Sequence, residues 1–116
     1  MPAIILRTSV KCTDEQKDFL ARGLSKICAD ALGKPELYVM SVVQDGATIF
    51  FGGNKQVAAI LDVKSIGGLN AAVNDALAKA ICAFLSETIN IEPNSIYINF
   101  ADVARENWGW NSTTFA

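Results

Sequence analysis

Two long amphipathic segments recur at matching places in the two halves of this 116-residue chain, and each is preceded by an aliphatic strand pattern. In the first half, Ala3–Leu6 is a continuous apolar run with two β-branched residues, which predicts a strand covered on both faces. Thr13 followed three positions later by Gln16 is a capping-box signature, and Phe19, Leu20, Leu24, Ile27, Cys28 and Ala31 then fall at helical spacing. Gly33 suits the left-handed position that ends a helix, and Pro35 prevents continuation, so the helix stops near Leu32. A second strand is expected over Leu37–Val43, with Asp45-Gly46 turning the chain into Thr48–Phe51 as a hairpin. The second half repeats the order. Val57–Val63 reads as a strand, and Leu69, Val73, Ala76, Leu77, Ala80, Ile81, Phe84 and Leu85 mark a helix. Pro93-Asn94-Ser95 turns into Ile96–Phe100, a further strand, with Pro93 standing to Pro35 as Tyr97 stands to Tyr38.

A duplicated β-α-β unit puts both crossover helices on one face of a sheet, because such connections share one hand. Two helices about 10 Å apart span roughly four strands about 4.8 Å apart, so they cover one face and leave the other bare. Ile4-Ile5-Leu6, Val42-Val43 and Ala58–Leu61 place apolar groups on both sides, so the bare face needs a cover. A second copy of the chain is the expected cover, and the C-terminal segment is the alternative.

Composition narrows the function. Half the residues (51%) are apolar and 19% charged, so the chain folds, and its length fits one domain over 1–116. A net charge of −2 lacks the basic excess that binding a phosphate backbone requires, so no nucleic-acid partner is expected. There is no histidine, which removes Ser-His and Cys-His nucleophiles and the commonest metal ligand. Cys12, Cys28 and Cys82 are odd in number and lack a C-x-x-C, so neither a metal site nor a disulfide framework is expected, and no cofactor is implied. No apolar run approaches the 18 or so residues that cross a bilayer, and the N-terminus lacks a secretory pattern. The expectation is a cytoplasmic protein with no membrane partner, whose export, where it occurs, follows a non-classical route.

Met1-Pro2 opening a strand, Gly33-Lys34-Pro35, Ser65-Ile66-Gly67, Tyr97-Ile98-Asn99 and the closing Gly109–Ala116 together resemble the macrophage migration inhibitory factor family of the tautomerase superfamily. The resemblance runs through the whole chain. It implies an α/β fold in which the duplicated β-α-β unit forms a mixed four-stranded sheet with two helices on one face. It also implies a homotrimer with its active sites at the subunit interfaces. The activity it implies is keto–enol isomerisation of aryl pyruvates such as phenylpyruvate, or of dopachrome. Pro2, once Met1 is removed, would be the base. Burial beside a cation lowers an amine's pKa, which yields a neutral base near physiological pH and suits a chain without histidine.

By the same resemblance Lys34 binds the substrate carboxylate or the enolate oxygen, although a lysine there also complements a helix C-terminus. Ile66 would donate its backbone N–H to the substrate, where local sequence reads only as a turn. Tyr97 and Asn99 alternate with apolar residues on one strand face and would reach the site from a neighbouring subunit. Trp108 and Phe115 complete the expected pocket, Trp108 standing where the best-known member carries a smaller aliphatic residue. Ala58 and Leu61 replace a C-x-x-C pair of the best-known member, so thiol–disulfide exchange is not expected. Cys28 and Cys82 read as packing residues, and the sequon Asn111-Ser112-Thr113 as a coincidence. Two other readings stay open: a cytokine-like protein ligand with a vestigial pocket and a receptor partner, and a ferredoxin-like sensor, which accounts for the repeat but not the termini.

Overall fold

The computed structural model describes residues 1–116. β1 (Pro2–Thr8) leads into α1 (Asp14–Leu32), and a short 3-10 turn at Glu36–Tyr38 precedes β2 (Met40–Gln44). A small hairpin of β3 (Phe50–Phe51) and β4 (Asn54–Lys55) follows. Then come β5 (Ala59–Ser65), α2 (Ala71–Ile89), a 3-10 turn at Pro93–Ser95 and β6 (Ile96–Asp102). After a third 3-10 turn at Arg105–Asn107, β7 (Gly109–Trp110) and β8 (Thr113–Thr114) close the chain as a second hairpin.

The repeat is real at the backbone. β5 and α2 each begin and end 57 positions after β1 and α1. The four long strands lie in the order β2-β1-β5-β6, with β1 parallel to β2, β5 parallel to β6, and β1 antiparallel to β5. The sheet is therefore mixed, as expected. At that offset Tyr97 corresponds to Met40, so Tyr38 is not its counterpart: Tyr38 sits in the 3-10 turn before the strand.

Local chemistry accounts for the helix limits. The Thr13 hydroxyl accepts the Gln16 N–H at 3.1 Å, and the Gln16 side chain accepts the Thr13 N–H at 2.8 Å, closing the capping box. Gly33, at φ 62°, is the left-handed C-cap, and its N–H and that of Lys34 turn back to the last carbonyls of α1. α2 starts at Ala71, two residues later than its apolar pattern, because the Asn70 side chain caps it by accepting the Val73 N–H at 2.9 Å. Leu20, Leu24, Cys28 and Leu32 of α1 and Leu77, Ile81, Leu85 and Ile89 of α2 form i, i+4 stripes. These pack on Ile4, Leu6, Leu61 and Val63 from the sheet. Phe19 and Phe84 stack across the two helices at 5.8 Å.

Three expectations are corrected. β1 and β5 are not buried on both sides: buried and less buried residues alternate along each, and although Ile5, Val42 and Ile60 do place apolar groups on the open face, they share it with Arg7, Asp62 and Lys64. The second strand begins at Met40, since Leu37 and Tyr38 belong to the 3-10 turn. Asp45-Gly46 makes no hairpin, because β2 pairs with β1 in parallel. The Asp45 carboxylate instead accepts the Cys12 N–H at 2.9 Å, and Gly46 and Ala47 donate to Val10 and Thr8, so this turn is fastened to the end of β1. The C-terminal segment does not cover the open face, where Met40 is 68%, Ile60 41% and Tyr97 62% exposed. No helix is long and apolar enough to cross a membrane.

Candidate active site

Pro2 opens β1 opposite Ser65 of β5, with its ring fully buried. A first strand residue suits proline, which has no N–H to give to the ladder. The turn after β5 wraps this end of the sheet. The Ser65 hydroxyl donates to the Gly67 carbonyl at 2.7 Å, and the Gly67 N–H donates to the Asp102 carboxylate at 2.9 Å. Ile66 is thereby turned so that its N–H points at the Met1 carbonyl, 3.4 Å away. Its own carbonyl accepts the Lys34 ammonium at 2.5 Å.

Lys34 arrives from the other half of the repeat, on the residue after the helix cap. Its stem lies over Gly68, which takes φ 83°; a Cβ there would come within 3.4 Å of the Lys34 Cε. A Cβ at that distance would only touch the lysine stem, so it is the left-handed backbone that calls for glycine here. No carboxylate pairs with Lys34, which appears in none of the five ion pairs. Burial, with the Lys34 ammonium nearby, holds the Met1 α-amine below its ordinary pKa.

Two hollows meet here, sharing Met1 and Tyr38. One, of about 300 Å³, is lined by Met1, Lys34, Tyr38, Ile66, Arg105 and Phe115. The other, of about 880 Å³, is bounded chiefly by Pro2, Leu37, Tyr38, Met40, Trp108 and Trp110. The C-terminal hairpin forms the wall between them. Phe115 donates its N–H to the Trp108 carbonyl at 3.2 Å, its ring stacks on Trp110 at 6.2 Å, and its carbonyl accepts the Arg105 Nε–H at 3.1 Å.

Pro2, Lys34, Ile66, Trp108 and Phe115 therefore meet at one end of the sheet, although they are scattered from one end of the sequence to the other. Tyr97 and Asn99 do not join them. Pro2 pairs with Ser65 and Ser65 with Asp102, whereas Tyr97 lies opposite Ile60 and Asn99 opposite Asp62. At about 3.3 Å per residue, Asn99 is roughly 10 Å and Tyr97 roughly 16 Å further along β6. Tyr97 packs instead on Phe51 at 4.9 Å, beside an apolar hollow of about 480 Å³ that includes Ile49, Phe50 and Ile60. No group of three His, Cys, Asp or Glu residues is placed to hold a metal.

The sequence profile of the macrophage migration inhibitory factor family matches residues 1–116. The chain belongs to this family. Macrophage migration inhibitory factor from Xenopus tropicalis is 35% identical over 116 residues, covering all of both chains. The fold agrees as closely: the crystal structure of a macrophage migration inhibitory factor homologue from Prochlorococcus marinus superposes with a TM-score of 0.93 at 35% identity. That match covers 98% of this chain and 99% of that one. The Entamoeba histolytica protein gives 0.91 at 33% identity, with 98% of each chain covered.

Two lining residues of this family member escaped the sequence reading. Tyr38 was legible only as a mark of the repeat, yet it borders both hollows. Arg105 carried a signal that could have found it: it is the sole Lys or Arg after Lys79.

Proposed function

We propose that this chain is a keto–enol tautomerase of aryl pyruvates, phenylpyruvate and dopachrome being the types of substrate, with residues 1–116 forming one catalytic domain. Family membership supports a tautomerase or cytokine-like function in general; the chemistry around Pro2 favours the first. The observation that carries the reading is the Met1 carbonyl, which is bonded to the Pro2 nitrogen and accepts the Ile66 N–H beside the unpaired Lys34. That oxygen stands in for a substrate oxygen. Removal of Met1 frees the Ile66 donor and turns the Pro2 nitrogen into a basic secondary amine at the same point.

In this scheme the substrate carboxylate lies against Lys34 and the Ile66 N–H, with the ring toward Trp108 and Phe115. The neutral Pro2 nitrogen takes a proton from C3. The C–H electron pair becomes the C2–C3 double bond, and the carbonyl pair moves to oxygen, which the cation and the N–H stabilise. The proton on Pro2 then passes to that oxygen, giving the enol and restoring the base. The surroundings that depress the Met1 amine, burial and Lys34, act on the imino nitrogen in the same direction.

Tyr97 and Asn99 enter this scheme from a second subunit. The open sheet face, with Ile60, Tyr97 and Met40 exposed, is the surface on which copies of the chain would assemble as a trimer. The test pairs intact-mass analysis of the N-terminus with phenylpyruvate turnover by Pro2→Gly. Loss of most of the activity with assembly unchanged is expected; equal turnover, or an active protein that retains Met1, refutes the assignment.

A further inference from the structure

The smaller hollow of about 300 Å³ is lined by two basic side chains, Lys34 and Arg105, and by no Asp or Glu. Neither takes part in an ion pair. Arg105 is nevertheless held in place, since its Nε–H is bound to the Phe115 carbonyl at 3.1 Å and Phe115 is tied to Trp108. That bond occupies one edge of the guanidinium. The two terminal nitrogens have no protein partner and keep their four N–H groups for an anion. Lys34 uses one of its three donors on Ile66 and has others to give.

Two like charges in one small hollow repel each other, and a single substrate carboxylate neutralises only one of them. We infer that Arg105 is a specificity-determining residue and that the site selects dianionic 2-oxo acids, the carboxylate beside the reacting carbonyl on Lys34 and a second anionic group on Arg105. This rests on the tautomerase reading for the reaction but not for the binding. A fixed, planar guanidinium with free terminal nitrogens matches a carboxylate better than a mobile ammonium does.

Titration calorimetry at low salt with benzoate and with the three benzenedicarboxylates, none of which can enolise, reads the binding apart from catalysis. At least one dicarboxylate is expected to bind tenfold or more tightly than benzoate. Arg105→Gln should erase most of that advantage, and Arg105→Lys should keep part of it. In turnover, Arg105→Gln should lower kcat/KM tenfold or more for an aryl pyruvate bearing a ring carboxylate and only two- to threefold for phenylpyruvate. Dicarboxylates that bind no better than benzoate, an advantage that survives in Arg105→Gln, or an equal loss for both ligands from a loosened C-terminus would each overturn the inference. A wild-type protein without turnover that still prefers dicarboxylates would sink the tautomerase reading alone.

Discussion

Replacing Lys34 with alanine removes three things at once, and their sizes differ enough to be separated. The first, on the proposed function, is a charge-assisted hydrogen bond to the substrate carboxylate, worth about 1.5–3 kcal/mol, or about ten- to a hundredfold in kcat/KM. Because Lys34 is only partly buried, the lower half of that range is expected. The second is the bond to the Ile66 carbonyl. Water can reach this half-exposed turn, so the cost to folding stays near 1 kcal/mol. The third is a neighbouring positive charge that disfavours protonation of the N-terminal nitrogen. A base works unprotonated, so activity climbs with pH through its pKa; without Lys34 that pKa rises and the acid limb of the profile moves to higher pH. The assay is kcat/KM for phenylpyruvate and for its methyl ester across pH 5–9, with a thermal melt of each protein. The acid should lose about tenfold or more, and the ester much less. Equal losses for acid and ester, with an unmoved acid limb, would show that the lysine merely closes a helix end.

Two further outcomes follow from the same structure. The wholly buried Cys28 thiol is pushed up to about 11 by burial, from near 9 when unfolded. Between those values the native chain holds a proton that the unfolded chain has lost, so stability should fall as pH rises through that window, by up to about 2–3 kcal/mol. Urea melts of Cys28→Ala should show a shallower slope, with a remainder because Cys12 and Cys82 are also raised; an unchanged slope refutes the assignment. If Pro2 and Asn99 meet across subunits, co-refolding equal amounts of Pro2→Gly and Asn99→Ala chains should regain about a quarter of wild-type activity, since that share of sites draws both intact residues. Mixtures no more active than their components would place the whole site in one chain.

The sequence was most informative where a structure is made by near neighbours. Thr13 with Gln16, and Gly33 before Pro35, fixed both ends of α1 because their partners lie within one turn. The i, i+4 stripes that bury Leu24 and Leu77 were readable for the same reason. It misled where the partner is distant: Asp45-Gly46 has the composition of a hairpin turn, but its carboxylate is taken by the Cys12 N–H from the loop before α1. Likewise the strands looked apolar on both sides because consecutive aliphatic residues conceal an alternation that only the packing of α1 and α2 defines. The site divides in the same way. Lys34 and Ile66 are 32 positions apart and were joined only by resemblance to relatives, while the hydrogen bond between them is what the folded chain adds. Arg105 and Tyr38 have no local motif, so their place in the hollow came from the fold.

The claim on which the rest depends concerns one nitrogen. Proline labelled with ¹⁵N gives three signals, from Pro2, Pro35 and Pro93, and only a chain-terminal Pro2 can titrate. In the protein lacking Met1, its midpoint is expected below the ordinary α-amine range of about 7.7–8.0. A Pro2 nitrogen that remains fully protonated above that range would contradict the account.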